Sequence, residues 1–275
     1  MKTLIRKYPI TAFIILAFGI SYFIGIPIRM FFLDRLFGKQ ELGMGYYVKI
    51  FTVYGPALAA VIVTAVTSGK TGLAALFSKL KPDPKHFIWW LALPVAGTLI
   101  TAMAFIIQGV PAYSLFTMII NNLPMFAAHI IMATLIIGFG EEIGWRGWLW
   151  PTLLKTRTVK SALPLIFIVW GLWHLPILFS GYKTAIPFVI LEASATVIFA
   201  WIWQRVNGNI FVLAIAHASI DFPEAFFETR VLASGYDWDY ILGVWAILSV
   251  IYAGVAIVVF LLPGWTAEKP ANSTP

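Results

Sequence analysis

From Asn122 to Trp150 the chain reads NLPMFAAHIIMATLIIGFGEEIGWRGWLW. At 1.5 Å per residue such a run forms a helix of about 43 Å, more than the roughly 30 Å of bilayer hydrocarbon. A helix that stopped at Gly140 would leave Glu141 and Glu142 in a wet loop. Residues 143–150 are apolar apart from Arg146, however, and the stop signals come later, at Pro151, Lys155 and Arg157. The helix is therefore expected to run to Trp150, with Glu141 about 14 Å inside that end. Such a segment belongs to a membrane protein that carries charge within its span.

The rest of the chain reads the same way. Of its 275 residues 60% are hydrophobic and 11% charged, against about 45–50% and about 25% in soluble domains. The absence of cysteine excludes a disulfide framework, a Cys-ligated zinc and a thiol nucleophile. Twelve tryptophans suit helices that end at two membrane interfaces. The net charge of +7 is scattered over short loops instead of one patch, which argues against nucleic acid as a partner.

Eight stretches are long enough to span: about 10–28, 46–67, 87–109, 122–150, 161–180, 185–204, 209–227 and 240–262. The expected fold is all-α, one polytopic transmembrane domain over 1–275, with a disordered tail at 266–275. The first span is too long for a signal-peptide core, lacks a clear cleavage site, and reads as a retained anchor. With the N-terminus in the cytoplasm, 13 of the 19 Lys and Arg residues fall inside and 6 outside. Both termini are thus expected to be cytoplasmic, in the plasma membrane if the chain is bacterial. Lys79, Lys81 and Lys85 read as topology signals and contacts to anionic lipid.

Charge near the bilayer centre is costly, and it is usually paired or functional. Counted from Leu163, His174 lies about 16 Å deep; counted from Asn209, His217 lies about 12 Å and Asp221 about 18 Å deep. These depths match that of Glu141, so four polar side chains from three helices converge. Glu142 and Arg146 are four apart and can pair, as can His217 and Asp221. Glu141 is rotated about 100° from Glu142 and faces elsewhere. Gly138, Gly140, Gly144 and Gly147 let neighbouring backbones approach, and Pro176 is placed to kink the fifth span. A buried carboxylate beside imidazoles can hold and deprotonate a water. His217 and Asp221 can orient an oxyanion or, with Glu141 and His174, ligate zinc. An HExxH motif is absent, and hydrolysis with or without a metal fits the set.

Glu141-Glu142-x-x-x-Arg146, Trp170-x-x-x-His174 and His217-x-x-x-Asp221, in that order, resemble the three-motif signature of the CAAX prenyl protease and bacteriocin-processing (Abi) family. The likeness covers about residues 120–225. The family's second motif usually opens with Phe, where this chain has Trp170. Its third often ends in Asn, where this chain has Asp221, which when ionised only accepts hydrogen bonds. The resemblance implies an eight-helix intramembrane endopeptidase, metallo- or glutamate-dependent, whose cavity opens to the cytoplasm. It implies Glu141 as general base with His174 assisting, and His217 and Asp221 stabilising the oxyanion or completing the site. Glu142 and Arg146 would hold the geometry, with Trp170 in support. The substrate would be a membrane-associated, lipidated or small peptide, and zinc is the candidate cofactor.

The rival readings are a proton-coupled transporter and a non-catalytic membrane scaffold built on the same polar set. No internal repeat relates the two halves, as it does in many transporters. Glu192 falls outside the motifs; it either faces the same cavity or is protonated and bonded to a neighbouring helix. His129 reads as a core hydrogen-bonder. Gly69-Lys70-Thr71 echoes the end of a phosphate loop but lacks its leading glycine.

Overall fold

In hydrocarbon every backbone polar group needs an internal partner, so long apolar runs become helices. A computed structural model describes residues 2–28, 30–31 and 50–266. Beyond Thr266 the expected tail lies outside the described residues, as do Arg29, Arg35, Lys39, Lys49 and Lys269 of the orientation count. Among the described residues seven helices are long and apolar enough to cross a membrane: α1 (Pro9–Ile28), α2 (Ile50–Ser78), α3 (Pro84–Ile107), α5 (Leu123–Leu154), α7 (Tyr182–Arg205), α8 (Ile210–Ala233) and α9 (Trp238–Leu261). Two shorter apolar helices are α4 (Ala112–Asn121), which was not expected, and α6 (Val159–Trp173). No strand occurs among the described residues. The chain is an all-α polytopic membrane protein.

Four boundaries differ from the sequence reading, one of them that of the seventh span, which runs on to Ala233 instead of ending near 227. The second span continues to Ser78, bending at Gly69, whose φ of 63° suits glycine. α5 continues past Trp150 to Leu154. Pro151 is tolerated because the preceding turn, Trp145–Leu149, is a wide π turn in which Trp150 N–H reaches back to Trp145 O. That widening falls at Gly147, four residues before the proline, where its ring would otherwise clash. The fifth span is broken: α6 ends at Trp173 and a short turn, Leu175–Leu178, follows His174. Ile177 N–H bonds to His174 O, which leaves the Trp173 carbonyl to accept from the Tyr22 hydroxyl of α1 at 2.8 Å. The Trp173 indole in turn donates to Ser21 Oγ at 3.0 Å.

The helices alternate in direction. At one end of the bundle Ile210 N–H bonds to Lys79 O at 2.8 Å and Gln204 Nε2 to Trp265 O at 2.9 Å. At the other, Lys183 pairs with Asp239 at 2.8 Å and Tyr240 donates to Gln108 O at 3.0 Å. α8 is central, packed on α3 and α5, while α7 pairs with α9 and α6, and α2 bridges α1 and α5. Asn209 caps α8 by accepting from Val212 N–H at 3.0 Å, the bond that its position before an apolar run suggests.

Two glycines let α5 wedge between α8 and α2. A Cβ on Gly138 would collide with the backbone of Ala214, and one on Gly144 would stand 2.6 Å from the Pro56 carbonyl. Backbone cannot yield as a flexible side chain can, so Gly144→Ala is expected to cost about 1–3 kcal/mol. Gly254, where a Cβ would meet nothing within 4 Å, serves as control. Thermal melts in detergent should show a lowered midpoint for Gly144→Ala and no lowering for Gly254→Ala.

Candidate active site

The two glutamates sit on the α-helical turn Phe139–Gly144, between π turns at Ala133–Gly138 and Trp145–Leu149. Such wide turns often mark functional positions. Glu142 is fully buried and pairs with buried Arg146, its Oε1 accepting from Nη1 at 2.9 Å. The same oxygen accepts from His217 Nδ1 at 2.8 Å. Because a carboxylate oxygen accepts, the imidazole hydrogen lies on Nδ1. The Arg146 guanidinium lies 4.0 Å from the Trp170 ring and 4.8 Å from that of Phe199.

Glu141 faces away from this pair, as its rotation requires. Its Oε2 accepts from the indoles of Trp170 at 2.8 Å and Trp145 at 3.3 Å. Its Oε1 lies 3.9 Å from His217 Nε2. Trp170, which replaces the family's usual Phe, is therefore a hydrogen-bond donor to the carboxylate, a contact that Phe could not make. Trp145 was missed in the sequence, although it stands four residues after Glu141 and the same-face rule pointed to it.

His174 caps the broken end of α6, where its Nδ1 lies 3.2 Å from Trp170 O and 3.6 Å from Glu192 Oε1. Asp221 stands one turn beyond His217, with Oδ2 3.7 Å from Nε2 and its side chain 36% exposed. A cavity of about 910 Å³ is lined by Glu141, His174, Glu192, His217 and Asp221 together. The residues expected to converge do so, and Glu192 joins them. His129 stays apart, buried with Nδ1 2.8 Å from Met125 O and its ring edge-on to Phe226.

From these residues the cavity extends past Glu224, Glu228 and Met30, toward the end of the bundle that holds Lys183 and Asp239. This is the end opposite Lys79 and Arg205. Cytoplasmic termini and a cytoplasmic opening therefore exclude each other, and the two expectations cannot both stand.

Among the described residues no three His, Asp or Glu side chains are grouped so as to hold a metal ion. His217 spends Nδ1 on Glu142, and the Nδ1 of His174 is turned to Trp170 O and Glu192. Each ring thereby keeps Nε2 as the nitrogen open to a ligand, the arrangement in which metal-bound imidazoles have their other nitrogen backed by a carboxylate or a backbone carbonyl.

Residues 123–223 match the family model described as type II CAAX prenyl endopeptidase Rce1-like. No curated protein matches the chain. The matched stretch runs from the start of α5 into α8 and contains every residue that sequence reading singled out for the site.

Removing one partner of a buried ion pair strands the other. Arg146→Ala should therefore destabilise the protein by about 3–5 kcal/mol, read as a lower melting midpoint in detergent. An unchanged midpoint would mean that the pair contributes nothing to the fold.

Proposed function

We propose that this chain, whose residues 123–223 match the type II CAAX prenyl endopeptidase Rce1-like model, cuts a membrane-associated peptide by the action of Glu141 on water. One observation supports this best: Glu141, His174, His217 and Asp221, from three helices, border one cavity. With Oε2 held by two indoles, the carboxylate can turn only Oε1 to a water.

In this reading Glu141 Oε1 takes a proton as the water oxygen bonds to the scissile carbonyl carbon. The carbonyl oxygen gains the electron pair and receives a hydrogen bond from Nε2–H of His217, whose ring carries hydrogen on both nitrogens in this scheme. Glu142, bonded to the far side of that ring, supplies the counter-charge. Asp221, 3.7 Å from Nε2, aligns the imidazole at the wet end. When the C–N bond breaks, His174 Nε2 gives its proton to the leaving amine and is resupplied from Glu141. General acid–base steps of this kind contribute about 10²–10⁴-fold each. Glu142 and Arg146 keep α5 and α8 in register.

Wild-type protein in detergent should hydrolyse members of a quenched peptide library, lipidated peptides included. Glu141→Gln should lower the rate at least about 10²-fold, and His217→Ala comparably, with both variants still folded. Chelation should leave the rate unchanged; loss on chelation that zinc restores would replace this scheme with a metal-dependent one. A wild type that cuts nothing would sink the hydrolytic reading.

Both termini are cytoplasmic in this proposal, on the weight of Lys and Arg at that end, so the cavity opens on the opposite membrane face. The chain has no cysteine, which makes single-cysteine labelling direct. In intact cells a membrane-impermeant maleimide should label Ser234→Cys and spare Lys81→Cys. The reverse pattern would turn the molecule over and open the cavity to the cytoplasm.

A further inference from the structure

α7 brings to the cavity a carboxylate that none of the three motifs contains. Glu192 lies about 20 Å from the Arg205 end of its helix, a depth similar to that of the other four residues. It is 3% exposed and lines the cavity. Neither of its oxygens has a protein hydrogen-bond partner, and its nearest charged neighbour is His174, at 3.6 Å from Oε1 to Nδ1. α6 makes room for it: a Cβ on Gly171 would stand 3.4 Å from Glu192 Oε2.

The ring chemistry gives this placement its meaning. His174 Nδ1 lies 3.2 Å from the Trp170 carbonyl, which can only accept, so Nδ1 carries hydrogen and Nε2 is the atom that exchanges a proton. A buried carboxylate on the Nδ1 side of an imidazole fixes the ring and balances its charge when both nitrogens are protonated. Glu142 stands in that relation to His217, at 2.8 Å. The two imidazoles at the cavity are thus each backed by a buried carboxylate from another helix.

We propose that Glu192 is a positioning residue for His174, holding the ring with Nε2 free to exchange a proton and supplying the counter-charge to its imidazolium. The proposal rests on the hydrolytic reading above, in which His174 protonates the leaving amine. The bond made is N–H on the amine, the bond broken is Nε2–H, and Glu192 keeps its own atoms throughout.

Glu192→Gln preserves shape and removes the charge. Its kcat should fall about 10- to 100-fold, with KM within about twofold and the melting midpoint unchanged. His174→Ala should also lower kcat, and adding Glu192→Gln to it should cost nothing more, since the two residues act as a unit. A wild-type kcat for Glu192→Gln, or an equal loss in the His174→Ala background, would overturn the proposal. Nitrogen-15 spectra of histidine-labelled protein give a readout independent of cleavage, with only four histidines to assign. Glu192→Gln should move the His174 resonances and leave that of distant His86 in place. Unmoved His174 resonances would overturn the coupling even if no peptide is cut. Wild-type cleavage lost in Glu141→Gln but kept in Glu192→Gln would leave the hydrolytic reading intact and remove this one alone.

Discussion

The buried guanidinium of Arg146 is the constraint on which the site depends. With 2% of its surface exposed, it would be prohibitively unfavourable without a counter-charge. Glu142 supplies that charge from the same helix. The oxygen it offers also accepts from His217, so one atom joins the ion pair of α5 to α8. Trp170 of α6 and Phe199 of α7 cover the guanidinium. Four helices are registered on one cation, and Glu141, the neighbouring residue, is aimed by that arrangement without taking part in it.

How much of this could be read from the chain depends on whether a contact lies within one helix or between two. The Glu142–Arg146 pair and the common depth of the site residues followed from a four-residue spacing and a rise per residue. Contacts across helices did not. The His217–Glu142 bond depends on how α8 is rotated against α5, which Gly138 and Ala214 set through backbone contact. Glu192 carried no motif, and its apolar neighbours gave no hint of which face of α7 met the cavity. Pro176 signalled a bend in the fifth span. That Tyr22 would take the freed carbonyl was not legible, because the first span has no polar pattern of its own. Trp170 was legible as an aromatic ring in a place that usually holds Phe; only the geometry shows that its N–H is what differs.

Net charge also misleads about the site. The chain is at +7, yet among the described residues those that line the cavity include Glu141, Glu192, Asp221, Glu224 and Glu228 and no Lys or Arg. The described cations nearest the site are turned elsewhere. Arg230 is turned onto the Phe226 ring at 3.5 Å, Lys183 pairs with Asp239, and Arg146 is sealed beneath the site. A global sum of charge describes the loops that orient the molecule in its membrane, while the described lining of the cavity presents carboxylates and imidazoles.

The π turns on either side of Glu141 and Glu142 also change how α5 presents itself along its length. Each wide turn accommodates one extra residue, so the helix emerges from it rotated by about 100° relative to an unbroken α-helix. The stripe of α5 that faces lipid before Ala133 is therefore out of phase with the stripe after Leu149. A single helical wheel drawn through the whole of α5 mixes lipid-facing with buried positions. Three wheels, broken at the two wide turns, keep them apart, and the middle one holds little besides the two glutamates and their glycines.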